Sequence, residues 1–243
     1  MSDSKLPKVS VITVVRNDKE HIESTLNSLF VQDYPNIEYI VIDGASTDGT
    51  LEILEKYRSK IDYLISEPDN GIYDAMNKGI SISNGDYIGF LNSGDEYADS
   101  KVFSTIFMNL CERKDVIYGD SIEVSEDREK VIRTADFSIM EYGPIYRHGS
   151  SFVRSDIQKS FLFDLTNKKI GYALDWDFIY KLFKLGFEFH YSNIIIEKYL
   201  KDGISNNGYR NAWYNLLITS AYGNKIKKII YFLKNIVATR IRK

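Results

Sequence analysis

Cysteine is nearly absent. Cys111 is the single one in 243 residues, which excludes an internal disulfide framework and a cysteine-based zinc site and fits a reducing compartment. Proline is scarce, at 4 residues, and glycine moderate, at 15, so fibrous and low-complexity chains are excluded. No uncharged stretch reaches the roughly 18 residues needed to span a bilayer; the longest, Asn211–Asn224, is short and polar. Met1–Pro7 is polar and the apolar run Val9–Val15 has strand length, so no secretory leader is expected and the body is expected to be cytoplasmic. Acidic residues are missing from 224–243, which holds seven basic ones. The overall charge of −3 therefore divides into a tail of +7 and a body of −10. A basic nucleic-acid-binding body is disfavoured by that division; a tail that seeks an anionic surface is not.

What is present is ordinary globular composition, with 44% hydrophobic and 27% charged residues. The length suits one large domain or one domain with an appendage. Over the first hundred residues, strands and helices alternate. Strands are expected at Lys8–Val15, Ile37–Asp43, Ile61–Ser66 and Asp86–Leu91. Asn17, with Glu20 three residues on, reads as a capping box opening a helix. Further helices fit Leu51–Tyr57 and Ile72–Ile82. This order predicts an α/β fold with a mostly parallel sheet and helices on both faces. Beyond Asp95 the rhythm loosens. A helix over Val102–Glu112, a strand at Val116–Gly119, a hairpin within Ser121–Thr134, a helix over Asp175–Leu185 and a strand over Glu188–Leu200 are expected. A final helical region starts near Tyr209.

In open parallel sheets, ligands bind beyond the carboxyl ends of the strands. Here those ends carry Arg16-Asn17, Asp43-Gly44, Glu67-Pro68-Asp69-Asn70-Gly71 and Asn92-Ser93-Gly94-Asp95. Turn chemistry alone favours Asp, Asn and Gly at such places, but four such turns on one edge favour a ligand. Neither a G-x-G-x-x-G fingerprint nor a P-loop is present. Carboxylates beside a phosphate require a divalent cation between them, and Mg²⁺ and Mn²⁺ bridge carboxylates to phosphates. Asp95 suits that task.

Val9–Asn17, Glu38–Thr50, Asp69–Gly79 and Gly85–Asp95 together resemble the ordered motifs of family-2 glycosyltransferases of the GT-A fold. The wording is nearest to bacterial exopolysaccharide, O-antigen and colanic acid-type enzymes. The resemblance covers 8–99 strongly and about 145–205 more loosely. It implies a Rossmann-like GT-A catalytic domain over 1–208, with a nucleotide-sugar-binding half at about 8–99 and an acceptor-binding half at 100–208. A C-terminal helical region would occupy 209–243. It implies a donor pocket holding Val15, Asn17, Asp43, Asp74, Asn77, Lys78, Asn92, Ser93 and Gly94, with Asp95 as the Mn²⁺ or Mg²⁺ ligand. The chain departs from many relatives at Gly44, where they carry a second acid, at Met76, where they carry Arg, and at Asn92 and Gly94, which replace acids.

An inverting transfer needs a base on the acceptor hydroxyl and charge compensation on the diphosphate. Leu174-Asp175-Trp176-Asp177-Phe178 resembles the family's acceptor-side acidic motif. Asp175 is in the place of the base, with Asp177 as the fallback. Asp residues stabilising a helix N-terminus would look the same. Trp176 is either a sugar-stacking wall or a core residue, and His148 resembles a family segment near the acceptor. Asp202-Gly203-Ile204-Ser205 is either a flap over the donor or a surface loop.

The expected activity is transfer from a nucleotide-diphosphate sugar, UDP-linked, to a saccharide acceptor on a lipid carrier, in bacterial surface polysaccharide synthesis. A non-catalytic nucleotide-sugar-binding protein or degenerate transferase subunit stays open as the alternative. A sugar-nucleotidyltransferase is disfavoured because Val15-Arg16-Asn17 lacks a Gly-rich basic signature. On a helix, Ile226, Ile229, Ile230, Leu233, Ile236, Val237 and Ile241 share one stripe, with lysines largely outside it. Such a helix either lies in an anionic membrane interface at the inner face of the plasma membrane or docks on the body.

Overall fold

The computed structural model describes residues 6–108, 110, 112–134, 136–201, 208–222 and 226–233. The first half is a repeating strand–helix unit. Strands β1 (Val9–Val15), β2 (Ile37–Asp43), β3 (Tyr63–Ser66) and β4 (Tyr87–Phe90) alternate with helices α1 (Ile22–Phe30), α2 (Thr50–Lys56) and α3 (Ile72–Ile82). All four strands pair in parallel, in the order β3-β2-β1-β4. Every residue of β1 and β4 is buried. Ile12, Val14, Ile40 and Ile42 pack on one face with α3, whereas Val11, Val15, Tyr39 and Val41 pack on the other with α1 and α2. Burial on both faces explains why β1, β2 and β4 read as largely apolar runs.

The second half extends the same sheet with mixed pairing. It contains β5 (Glu96–Tyr97), α4 (Val102–Phe107), β6 (Val116–Ser125), β7 (Arg128–Ile132), β8 (Ser151–Arg154), α5 (Ser155–Ser160), α6 (Leu174–Leu185), β9 (Phe189–Leu200) and α7 (Gly208–Ser220). The strand order continues β4-β8-β6-β9-β5, and β7 pairs with β6. β8 is antiparallel to β4 and β6, β6 is parallel to β9, and β5 and β7 are antiparallel to their neighbours. The α/β architecture with helices on both faces is thus the expected one, and the parallel character is confined to its first half and the β6–β9 pair. A further short helix occupies 226–233. Among the described residues, no helix is long and apolar enough to cross a membrane.

Four local expectations differ. The capping box at Asn17 does not form: Asn17 is left-handed, with φ 53°, and α1 begins five residues later at Ile22 with no side-chain cap. Asn17 instead binds the turn after β2, where its amide N donates to Ser46 Oγ at 2.7 Å and its Oδ1 accepts from Thr47 N at 2.8 Å. β3 starts two residues later than expected, and α4 ends at Phe107. The strand expected at Val116–Gly119 and the first arm of the expected hairpin are one long strand, β6.

Two buried acids away from the strand ends, Glu38 and Asp120, are fully hydrogen-bonded. Glu38 on β2 accepts from Lys8 Nζ at 2.8 Å, Ser10 Oγ at 2.5 Å and Asn84 N at 2.6 Å. Asp120 on β6 accepts from Arg133, Thr134 N and Tyr191 Oη at 2.5–3.0 Å. These ties follow the rule that a buried charge must be paired and hydrogen-bonded.

Candidate active site

The turns after β1, β2 and β3 converge. Gly44 N donates to Val15 O at 2.9 Å, and Glu67 N donates to Asp43 O at 3.0 Å. A Cβ added to Gly44 would lie 2.4 Å from Asp69 Oδ2 and 3.3 Å from Arg16 Cβ. Asp69 and Arg16 therefore face each other across Gly44, and Arg16 is exposed. Asp43 is fully buried and accepts from Ser46 Oγ at 2.5 Å and Ser66 Oγ at 2.6 Å. It ties the turn after β2 to the end of β3, with Val15 and Asn17 as backbone and side-chain supports of the same turn.

The residues expected on α3 divide by their partners. Asp74 accepts from Asn70 N at 2.9 Å, closing the entry to the helix. Asn77 makes a two-way bond with the backbone of Phe163: its Nδ2 donates to Phe163 O at 2.9 Å, and its Oδ1 accepts from Phe163 N at 3.0 Å. Lys78 pairs with Glu67 at 2.7 Å and donates to Pro68 O at 3.1 Å. Hydrogen bonding to Glu67 holds its pKa above the ordinary lysine value. Asn77 thus joins the two halves, and Lys78 holds the loop after β3.

The turn after β4 carries Asn92, Ser93, Gly94 and Asp95. Ser93 Oγ donates to Asp18 Oδ2 at 2.6 Å, and Gly94, with φ 91°, donates its N–H to Thr25 Oγ1 at 3.0 Å. Both are turned toward α1. Asn92 Oδ1 is buried with no hydrogen-bond partner. The Asp95 carboxyl is pushed up to about 8 by burial and by the neighbouring Glu197, with Arg147 opposing.

Glu197 is the feature that sequence reasoning missed. It lies on β9, fully buried, and its Oε1 accepts from Arg147 Nε at 2.9 Å. Its Oε2 has no partner. Unlike Glu38 and Asp120, this acid is only half satisfied. Burial pushes its carboxyl upward against the attraction of Arg147. Arg147 stacks on Tyr199, 3.6 Å from the ring centroid. The sequence does carry one signal: Glu197 directly follows the apolar run Ile194-Ile195-Ile196 within an expected strand.

The buried Glu197 carboxylate and the partly exposed Asp95 carboxylate lie near a single guanidinium, that of Arg147, and so leave excess negative charge that a cation would offset. The free Glu197 Oε2, the Asp95 carboxylate and the Asn92 carbonyl are all oxygen donors. That donor chemistry fits Mg²⁺ or Mn²⁺, which complete their shell with water and phosphate oxygens. No group of three or more His, Cys, Asp or Glu residues able to hold a metal occurs among the described residues, so a protein-only cage is absent there.

On the other side of Arg147 is the second cluster. His148 begins a single 3₁₀ turn, His148–Ser150, before β8. Its ring packs 4.6 Å from Phe90, its Nε2 is buried without a partner, and burial lowers its pKa despite Asp175 nearby. It is neutral at pH 7. Asp175, in the first turn of α6, accepts from Tyr73 Oη at 2.9 Å. Burial and Asp175 raise the Tyr73 phenol well above its ordinary value. Asp177 has different surroundings: burial raises its carboxyl, with Lys181 opposing and Asp164 adding to the shift. Two residues on a helix are about 200° apart, so Asp175 and Asp177 point to different sides. Trp176 is 4% exposed and packs on Tyr180, with centroids 5.4 Å apart; it has the core position of the two open to it. Asp202-Gly203-Ile204-Ser205 lies outside the described residues.

The sequence matches the family described as glycosyl transferase family 2 over residues 10–173. An uncharacterised glycosyltransferase of Mycobacterium tuberculosis is 33% identical over 180 residues, which is 71% of this chain and 68% of its own. TuaG of Bacillus subtilis, described as a teichuronic acid biosynthesis glycosyltransferase, is 37% identical over 99 residues, covering 40% of this chain and 39% of its own. Among solved structures, Staphylococcus aureus TarS 1–349 in complex with UDP-GlcNAc superposes with a TM-score of 0.71 at 22% identity, covering 94% of this chain and 72% of that one. In another structure of TarS 1–349 the match covers 87% of this chain and 64% of that one. The mannosyltransferase PcManGT of Pyrobaculum calidifontis, in complex with GDP-Man and Mn²⁺, gives a TM-score of 0.69 at 17% identity, covering 94% and 69%. At these identities the structural matches speak for the fold.

Proposed function

The chain belongs to glycosyl transferase family 2, and we propose that it moves a sugar, with inversion, from a UDP-sugar to a hydroxyl of a lipid-linked saccharide in bacterial surface polysaccharide synthesis. The observation that carries this reading is the pair of clusters flanking Arg147-His148. On one side are Asp95 and the half-satisfied Glu197; on the other is Asp175, oriented by Tyr73. The first suits a diphosphate with its cation, and the second suits a proton-accepting carboxylate.

In this reading the diphosphate lies over the turn after β4, and the nucleoside extends toward Gly44, Asp69 and Arg16. Arg147 adds positive charge beside the leaving group. Asp95, with Glu197 and Asn92 as further oxygen donors, would hold Mn²⁺ or Mg²⁺, whose positive charge would offset the negative charge developing on the departing diphosphate. Asp175 accepts the proton of the acceptor hydroxyl as its oxygen bonds the anomeric carbon, and the bond from that carbon to the diphosphate oxygen breaks on the opposite face. The hydrogen bond from Tyr73 fixes which carboxylate oxygen is free. His148, neutral and with an unpartnered Nε2, offers a hydrogen bond beside it. The GT-A neighbours solved with UDP-GlcNAc and with GDP-Man and Mn²⁺ support a nucleotide-sugar donor and a divalent cation. The polysaccharide setting of TuaG supports the acceptor class, and the proposed site of action is the cytoplasm.

Nucleotide release from a panel of UDP- and GDP-sugars, with and without EDTA, tests this. Cation-dependent UDP release that rises with a lipid-linked saccharide supports the reading. Tight donor binding with no release under any condition would replace it with the non-catalytic nucleotide-sugar-binding alternative.

A further inference from the structure

The short helix at 226–233 docks on the body with an unexpected face. Lys228 is 3% exposed. Its Nζ donates to Tyr180 Oη at 3.1 Å and to the carbonyls of Thr219 and Tyr222, and it is 3.4 Å from Glu141 Oε1. On the same side, Tyr231 stacks on Tyr142 with centroids 5.1 Å apart, and Phe232 meets Trp213 at 6.1 Å. At 100° per residue, positions 228, 231 and 232 form one face. The opposite face carries Ile229, Ile230 and Leu233, which are 45%, 50% and 54% exposed, and Ile226 also points outward. A lysine and two aromatics hold the helix, and its aliphatic stripe faces away from the protein.

This reverses the usual arrangement, in which the apolar face is buried and lysines are solvated. Exposing aliphatic surface is unfavourable in water, at about 25 cal/mol per Å², so the stripe is built for another apolar phase. Charge identifies that phase. No acidic residue occurs from 224 to 243, and Lys225, Lys234, Arg240, Arg242 and Lys243 flank the stripe in sequence. The rest of the chain, at −10, would repel an anionic surface. Trp213, half-exposed beside Phe232, has the amphipathic ring suited to a lipid headgroup boundary.

We propose that the outward stripe of 226–233 inserts into the surface of an anionic phospholipid bilayer, with the basic flanks pairing with headgroups. The buried Lys228 fixes the helix to α6 and α7, so insertion orients the whole domain rather than merely tethering it. This inference is independent of the catalytic reading.

The full chain is mixed with vesicles of phosphatidylcholine alone or containing about 30% phosphatidylglycerol, and bound protein is measured by flotation. Binding at least about tenfold stronger to the anionic vesicles is expected, weakened by about 0.5 M salt. The triple variant Ile229→Ser, Ile230→Ser, Leu233→Ser alters only outward side chains and should melt within about 2 °C of the parent, because exposed substitutions stay within about 0.5 kcal/mol. It should bind anionic vesicles about tenfold or more weakly. Equal binding by the triple variant would overturn the proposal in favour of electrostatics alone, as would a parent that ignores anionic vesicles. A parent that is dimeric without vesicles and monomeric as the triple variant would assign the stripe to a second copy. A deletion of 234–243 that lowers the melting temperature while vesicle binding is absent would assign it to that segment.

Discussion

The Tyr73 hydroxyl donates to Asp175 Oδ1 at 2.9 Å, joining the start of α3 to the start of α6 across 102 positions of sequence. This bond separates the two acids of the acceptor motif, because Asp177 has Lys181 and Asp164 as its neighbours instead. Asp175→Asn should therefore lower turnover by about 10²–10⁴, the range for loss of a general base, with donor affinity unchanged. Asp177→Asn should change turnover by less than about threefold, since it sits outside the constellation. Steady-state rates with calorimetric donor binding distinguish the two; equal losses would make Asp175 no more than a structural acid.

In the proposed reading the Tyr73 hydroxyl acts only through Asp175, to which it donates. Tyr73→Phe removes the bond while keeping the ring contact with Phe163, at 5.1 Å between centroids. Turnover should fall about tenfold, matching the roughly 1.5 kcal/mol of a hydrogen bond to a charged group. In the Asp175→Asn background the same change should have little further effect, because residues acting as a unit are non-additive. A full tenfold loss in both backgrounds would place Tyr73 outside the base's support.

Asp95 makes stability depend on pH in a defined direction. Its carboxyl is pushed up from an ordinary 3.8 to about 8 by burial and Glu197. Between those two values the folded state holds a proton that the unfolded state has lost, so stability falls as pH rises through that window. Asp95→Asn removes this contribution and leaves that of Glu197, whose carboxyl burial also pushes upward. Its melting temperature should exceed the parent's at pH 8 by several degrees, and by less at pH 5, on the scale of about 2–4 °C per kcal/mol for a chain of this size. Added Mn²⁺ should raise the parent's melting temperature at pH 8 and leave Asp95→Asn unmoved, because a ligand that binds only the native state stabilises it. Thermal shift across this pH range, with and without Mn²⁺, reads both effects.

Much of this site was visible along the chain, and what was not has a physical reason. β1 and β2 were legible because strands buried on both faces are largely apolar runs, and the helix expected over Ile72–Ile82 is α3. The convergence of Gly44, Asp69 and Arg16 followed from parallel topology. The Arg147–Glu197 pair was not legible: its partners are 50 positions apart on elements whose order the mixed half of the sheet decides. The capping signal at Asn17 and Glu20 misled because Asn17 is committed to Ser46 and Thr47, partners that only the fold brings near. In the tail, the stripe was legible but its direction was not, since the ion pair and carbonyls awaiting Lys228 lie on other elements.

Asn77 gives a test that separates scaffold from pocket. Its amide pairs in both directions with the backbone of Phe163. Asn77→Ala would leave the Phe163 N–H and C=O without those partners, at about 1–3 kcal/mol for an unsatisfied buried group. The melting temperature should drop by about 2–10 °C, whereas donor affinity measured below the transition stays within about twofold of the parent. An unchanged melting temperature with weakened donor binding would make Asn77 a donor contact.

Gly44 and Gly149 look alike in sequence and should respond oppositely to Ala. A Cβ at Gly149 would lie 2.0 Å from Oε2 of the fully buried Glu197, whose other oxygen is held by Arg147. Glu197 has no room to retreat, so overpacking should cost about 1–3 kcal/mol and lower the melting temperature by about 2–10 °C. The Mn²⁺-induced shift should shrink with it, because in the proposed reading the displaced oxygen would be a donor to the cation. A Cβ at Gly44 would meet Asp69 Oδ2 at 2.4 Å, but Asp69 is only partly buried and its carboxylate can swing aside. Gly44→Ala should leave the melting temperature within about 2 °C of the parent and raise the donor KM by about tenfold, because the methyl occupies space between Arg16 and Asp69 where the nucleoside would lie. Melting curves and donor KM for the two variants, measured together, decide the assignment: a donor effect from Gly149→Ala alone would move the nucleoside away from Gly44.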